Sequence, residues 1–369
     1  MPRRTPTSAP PTRSTTSRPL GRQPLLSVVV PVRDGAAFLS RALPPLVAAL
    51  PDGAELIVCD DGSRDGSGRV AAAVGARVVL VGDLAGGPAA ARNRGALVAR
   101  GEILVFLDAD VTVHPDTLGL LTRPFADPSV AAAFGSYDDT PPESSWISRY
   151  KNLAHHFVHQ RSREDASTFW AGCGAVRRGV FLGLGGFDEG YRRPSIEDVE
   201  LGYRLREAGY RIRLVREAQV SHLKEWTLGS WLVSDLRDRA IPWARLVRAG
   251  RGLPRDLNFT TLDRLAALMV ASGVSALALS ALDWRLGAGA ALPLAAAVAI
   301  DAPFLRFAAR RSSAAFAAAA AGLHMAHRAA AVAGFLVGYM TPGPKARRHR
   351  ATHEGPDSGA PTRSEVTGC

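Results

Sequence analysis

Four unbroken apolar runs, separated by helical stretches and in two cases ending in paired acids, restrict this chain more than any other feature. They are "LLSVVVPV" (25–32), "AELIVCDDGS" (54–63), "RVVLVG" (77–82) and "EILVFLDAD" (102–110). A strand that is apolar at every position, not at every second one, is covered on both faces. Between the runs, residues 35–50, "GSGRVAAAVGA" and "GPAAARNRGALVARG" (87–101) carry apolar residues at helical spacing, and Gly101 closes the last of them. Strands alternating with helices predict an α/β domain with a mostly parallel sheet flanked by helices. Ligands of such sheets bind beyond the carboxyl ends of the strands. Asp60, Asp61, Asp108 and Asp110 are all expected at those ends.

Asp108 and Asp110 are separated by one residue at the end of a strand, so both carboxylates can face one object. Two like charges so placed repel unless something positive stands beside them. Mg2+ or Mn2+ suits hard oxygen donors and is commonly held by one or two carboxylates together with substrate phosphates. A D-x-D is common by chance; one placed after "ILVFL" points to a metal bound with a diphosphate.

Beyond about residue 260 the composition changes. "LAALMVASGVSALALSAL" (265–282) carries no charge, and "LGAGAALPLAAAVAI" (286–300) continues it after "DWR". With roughly 20 residues needed to cross a bilayer, these segments predict a transmembrane hairpin. Residues 314–340 are interrupted by His324, His327 and Arg328 and are expected to lie at the membrane interface. Lys and Arg number 45 against 34 Asp and Glu, for a net charge of +11, concentrated in the first 22 residues, in 237–264 and in "KARRHR" (345–350). No nucleic-acid-binding motif with interleaved aromatics accompanies them, so the partner expected is an anionic membrane surface and not nucleic acid. Cys59, Cys173 and Cys369 have no zinc or disulfide spacing; Cys59 lies in an apolar run and is expected in the core, in a reducing compartment. The Pro-, Ser- and Arg-rich residues 1–24 lack the apolar stretch of a signal peptide and are expected to be a disordered tail, as are residues 341–369.

In order along the chain, "LSVVVPVRDGAAFLSRAL", "ELIVCDDGSRDGS", "GPAAARNRGA" and "ILVFLDADVTVHPDTL" resemble the family 2 glycosyltransferases of the GT-A fold. "GGFDE" (185–189) and "IEDVELGYRLREAGYRI" (196–212) carry the resemblance across residues 26–240. It implies sugar transfer from a nucleotide-sugar, with a UDP-sugar the expected donor. Pro31, Val32 and Arg33 match the first nucleotide loop, and Asp60 and Asp61 match the acids that hold uracil or ribose. Asp61 also suits an Asx turn with the following "GS". Arg92 and Asn93 match residues near the nucleotide and sugar, and Asp108 and Asp110 the metal and diphosphate motif. Asp198 matches the general base of an inverting transfer, with Glu197 in support, although acids opening a helix are also favoured by its dipole. His222, after "RIRLVREAQVSH", stands where a histidine completes the metal shell, and Trp170 and Gly172 lie in a segment resembling the acceptor side. Processive members carry Q-x-x-R-W after the base. "SDLRDRAIPW" (234–243) departs from it, which points to a non-processive enzyme and leaves Arg239 and Trp243 as candidates for diphosphate or acceptor contact.

The domains expected are a tail (1–24), a GT-A domain (25–262), a membrane region of two spans and an interfacial helix (263–340), and a second tail (341–369). The acceptor expected is lipid-linked or a glycan, at the cytoplasmic face of the inner membrane, with the catalytic domain inside. Two rivals share parts of this pattern. A scaffold with a decayed transferase domain would not be expected to keep the full acid set. A nucleotidyltransferase would be expected to carry a Gly-rich basic loop where "PVRDGAAF" stands.

Overall fold

A computed structural model describes residues 26–82, 86–142, 145–250, 257 and 260–341. The tails predicted at the two ends lie outside the described residues, apart from Thr341, and so does "KARRHR". The strands are β1 (Leu26–Val32), β2 (Glu55–Asp60), β3 (Arg77–Leu80), β4 (Ile103–Leu107), β5 (Val111–Val113), β6 (Val130–Tyr137), β7 (Asp165–Ala166), β8 (Cys173–Arg177) and β9 (Arg211–His222). The first helices are α1 (Ala36–Ala49), α2 (Ser67–Ala73), α3 (Pro88–Val98), α4 (Thr117–Thr122), α5 (Trp146–Arg161) and α6 (Arg178–Gly183). Then come α7 (Glu197–Glu207), α8 (Leu228–Val233), a π-helical turn (Ser234–Ala240) and α9 (Ile241–Arg248). The C-terminal helices are α10 (Thr261–Leu279), α11 (Trp284–Ala288), α12 (Ala291–Arg311) and α13 (Ala314–Met340).

The strands form one sheet in the order β3-β2-β1-β4-β8-β6-β9-β5, with β7 paired to another part of β9. Pairing is parallel from β3 to β4 and mixed beyond, where β8 runs antiparallel to both β4 and β6. The parallel half follows from the apolar runs: β1 and β4 are buried at every position. Their opposite faces feed two separate cores, one under α1, α2 and α4 and the other under α3, α6 and α7. Cys59 and Cys173 are buried in those cores, and burial pushes both thiols up to about 12, as expected of inert core residues. Because β2 and β4 flank β1 on opposite sides, the crevice beyond the strand ends opens where the acids stand.

Three C-terminal segments, Thr261–Leu279, Trp284–Arg311 and Ala314–Met340, are long and apolar enough to cross a membrane. Leu282 and Trp284, at the α10–α12 connection, are 84% and 76% exposed and form an apolar tip. Of the polar residues that interrupt the third segment, His324 and His327 tie it to the catalytic domain and Arg328 ties it to α10 and α12. His327 Nδ1 lies 2.6 Å from the Asp235 carboxylate, and Tyr150 Oη 2.8 Å from His324 Nδ1. Arg328 donates to Asp301 at 2.5 Å and to the Asp263 carbonyl at 2.8 Å. Gly334 and Gly338 then let α13 lie on the π-helical turn and α9: a Cβ at Gly338 would stand 2.4 Å from the Ile241 carbonyl oxygen.

Candidate functional site

The chain turns sharply after β4, and backbone bonds fix both acids of the D-x-D. Asp108 N–H donates to the Gly172 carbonyl (3.2 Å), and the Asp110 carbonyl accepts from Leu223 N–H (2.8 Å). Arg92, on α3, is 5% exposed and spans two acids: Nη2 donates to Asp108 Oδ1 (2.6 Å) and Nη1 to Glu197 Oε1 (2.8 Å). Burial works against the guanidinium, but Asp108, Glu197 and Asp198 hold its pKa above the ordinary value. Asp110 Oδ2 lies 3.6 Å from His222 Nε2, and the His222 ring is stacked on Tyr137 at 4.6 Å. Burial raises the Asp110 carboxyl, yet the adjoining His222 ring and the Lys224 ammonium leave it below its usual range. The repulsion that the sequence assigns to a metal is therefore offset in the fold by the protein's own cations.

Glu197 and Asp198 open α7, and the structure separates their roles. Both Glu197 oxygens are taken within a buried setting, Oε1 by Arg92 and Oε2 by Ser195 N–H (2.9 Å). Asp198 is half-buried; Oδ2 accepts from Ala171 N–H (3.0 Å) and Oδ1 from Val199 N–H (2.8 Å). Burial, with the Glu197 charge behind it, pushes the Asp198 carboxyl up to about 7, and these backbone donors and Arg92 only partly oppose the rise. A carboxyl raised toward neutrality beside a buried one paired with a guanidinium is the arrangement expected of a proton acceptor and its support.

The sequence-predicted residues divide on this geometry. Arg92, Asp108, Glu197 and Asp198 come together, linked through Ala171 and Gly172 to Trp170. Trp170 folds over Gly172, where a Cβ would meet the indole at 2.6 Å, and its ring meets Tyr137 edge-on at 5.0 Å. One expectation needs correction, the turn assigned to Asp61. Arg92 is buried beneath the site as a bridge between two acids. Asn93 clamps the loop after α6: its amide donates to the Phe187 carbonyl and to Glu189 (both 2.9 Å) and accepts from Phe187 N–H (2.8 Å). Asp60, not Asp61, makes the turn, accepting from Ser63 N–H (2.7 Å), while Asp61 accepts from Gly86 and Gly87 N–H at the start of α3 (2.8 and 2.9 Å). Pro31 and Val32 are buried in β1, and Arg33 is exposed at its end. Tyr137 and Ser195 have no place in the sequence motifs, and only the "S-x-E" before α7 offered a signal; Ala171 lies within the acceptor-side segment, with nothing there to single it out.

Among the described residues, no three His, Cys, Asp or Glu side chains form a cage for a metal by themselves. Asp108 and Asp110 nevertheless keep side chains 33% and 22% exposed, with an imidazole beside the second. That donor set fits an Mg2+ or Mn2+ whose shell is completed by phosphates and water.

Residues 27–184 match the family model "Glycosyl transferase family 2". The chain is 34% identical over 217 residues to the pre-mycofactocin glycosyltransferase of Mycobacterium tuberculosis, covering 56% of this chain and 44% of the relative. It is 32% identical over 231 residues to the validoxylamine A glucosyltransferase of Streptomyces hygroscopicus, covering 53% of this chain and 54% of the relative. The chain thus spans about half the length of the curated relatives it matches. In fold it is similar to a mannosyltransferase from Pyrobaculum calidifontis solved with GDP-Man and Mn2+. There the TM-score is 0.55 at 21% identity, over 85% of this chain and 88% of that one. The sheet is that of the GT-A fold. Over residues 27–184 the chain is similar to the family 2 glycosyltransferases.

Proposed function

We propose that this protein is a metal-dependent, inverting, non-processive glycosyltransferase that moves a sugar from a nucleotide-sugar, a UDP-sugar in the first instance, to a lipid-linked or glycan acceptor at a membrane. The observation that carries the reading is the division within the acid pair: Glu197 is buried and ion-paired to Arg92, while Asp198 is half-buried and held by two backbone N–H groups. Asp198 takes the proton of the acceptor hydroxyl as it attacks the anomeric carbon opposite the leaving group. Arg92 holds Glu197 in place and couples it to Asp108 on the donor side. Asp60 and Asp61 shape the nucleotide end of the crevice, with Pro31, Val32 and Arg33 beside them. Trp170, laid over Gly172, walls the acceptor side. A divalent cation would be held by Asp108 and Asp110 with His222 adjoining, and would stabilise the departing nucleoside diphosphate.

The exposed apolar tip at Leu282 and Trp284 supports immersion of α10 and of α11–α12 as two spans. Binding of α13 to the π-helical turn and α9 supports an interfacial third helix. Arg245, Arg248, Arg251, Arg255 and Arg264, with Arg306, Arg310 and Arg311, favour a cytoplasmic catalytic domain at the inner membrane. The test is nucleoside diphosphate release by the full-length protein from UDP-glucose, UDP-N-acetylglucosamine and GDP-mannose, with Mn2+, Mg2+ or EDTA. Turnover that needs a metal and is lost in Asp198→Asn supports the proposal; equal turnover in Asp198→Asn and wild type overturns it.

A further inference from the structure

The π-helical turn at Ser234–Ala240 has a cause in the sequence and a consequence at the site. Pro242 has no N–H, so it cannot give the carbonyl of Asp238, four residues earlier, its α-helical hydrogen bond, and its ring crowds that carbonyl. The chain widens instead, with Ile241 N–H reaching back five residues to the Leu236 carbonyl. The donor that reaches Asp238 O comes from another element: Ser195 Oγ, at 2.6 Å. A serine just ahead of a helix, with an acid three residues on, ordinarily caps it. Here Ile196 is the N-cap residue and makes no side-chain cap bond, and the Ser195 hydroxyl is turned away to the π-helical turn.

The backbone N–H of the same residue donates to Glu197 Oε2 (2.9 Å). Ser195 therefore stands between a fixed carbonyl and one of the two acids that open α7. The turn behind it is anchored from α5, α8 and α13. The buried Asp235 carboxylate receives Lys151 Nζ of α5 (2.8 Å) and Trp231 Nε1 (2.6 Å) and lies 2.6 Å from His327 Nδ1 of α13.

We propose that Ser195 is a positioning residue for the Glu197–Asp198 pair, tying the acids to the carbonyl that Pro242 leaves without its helical donor. This rests on Asp198 acting as the base, and the experiment keeps the two apart. Full-length wild type, Ser195→Ala, Ser195→Thr, Pro242→Ala and Asp198→Asn are compared for melting temperature and for kcat and KM of diphosphate release from the three nucleotide-sugars above. Backbone amide exchange across residues 190–205 is followed in each by mass spectrometry. Ser195→Ala should lower kcat by roughly three- to tenfold, the scale to which one hydrogen bond converts, with the donor KM unchanged. Ser195→Thr, which keeps the hydroxyl, should restore it. Pro242→Ala returns an N–H to compete for the carbonyl, so it should lower kcat with no loss of melting temperature.

Exchange should quicken in Ser195→Ala around residues 195–199, a result that needs no turnover. Unchanged exchange there, or equal kcat in Ser195→Ala and wild type while Asp198→Asn is inactive, overturns the positioning role. Full activity of Asp198→Asn overturns the assignment of the base instead.

Discussion

Removing Arg92 tests the electrostatics of the site most severely. Its guanidinium is buried and ion-paired to Asp108 at 2.6 Å and to Glu197 at 2.8 Å. The two pairs do not weigh equally. The Asp108 side chain is 33% exposed, and water screens much of what that pair contributes. Glu197 is 5% exposed, so Arg92→Met leaves a buried carboxylate with Ser195 N–H as its remaining partner. Breaking a buried pair from one side costs about 3–5 kcal/mol. That is a large share of the roughly 5–15 kcal/mol that holds a domain together. At about 2–4 °C per kcal/mol for a domain of this size, the melting temperature should fall by roughly 6–20 °C. Most of the cost lies in the orphaned charge and not in the lost contact, so Arg92→Met/Glu197→Gln should recover a good part of it. Thermal unfolding of wild type, both single variants and the double variant in the same detergent closes the cycle. A double variant no more stable than Arg92→Met, or an Arg92→Met variant melting within 2 °C of wild type (about the shift of 1 kcal/mol), would refute the reasoning.

Asp198→Asn keeps shape and loses the proton acceptor, and should cost on the order of 10²–10⁴-fold in kcat with donor binding nearly unchanged; a loss confined to donor affinity would reassign the residue to binding. Because burial raises Asp198 to about 7, the base is increasingly protonated as pH falls through that value. The kcat–pH profile should therefore drop on the acid side near neutrality; a flat profile down to pH 5, about a unit above an ordinary carboxylate, contradicts this. Asp110→Ala should leave a folded protein without transfer activity, and excess EDTA should silence wild type; full activity in either case removes the metal from the mechanism. A reporter fused after Arg350 should be active on the cytoplasmic side, and activity confined to the outer face would rule out two spans with an interfacial α13.

How much of this was legible in the sequence differs between the halves of the sheet. β1, β2 and β4 announce themselves because each is an unbroken apolar, β-branched run. "VAAAFGSY" in β6 and "CGAVR" in β8 do not: alanine and glycine have no strand preference of their own. These segments become strands because β8 is gripped between β4 and β6, and β6 in turn pairs with β9. The acids were visible as motifs, but Arg92 lies 105 positions from the Glu197 it binds, and no local pattern marks that pairing. The "DDGS" pattern favours Asp61 as turn former, and only the fold shows that the Gly86 and Gly87 amides claim that residue first. The polar residues of α13 look costly in a span. They are costly only without partners, and Asp235, Tyr150, Asp301 and the Asp263 carbonyl are supplied from distant parts of the chain.

The configuration of the product tests the central claim most directly. Full-length protein is given UDP-α-glucose, UDP-α-N-acetylglucosamine or GDP-α-mannose with Mn2+, and the sugar first formed, free or transferred, is followed by proton NMR. Attack by a hydroxyl or water that Asp198 deprotonates, from the face opposite the diphosphate, predicts β as the first anomer, formed on the order of 10²–10⁴-fold more slowly by Asp198→Asn. An α product from wild type, or a β product formed equally fast by Asp198→Asn, would contradict it.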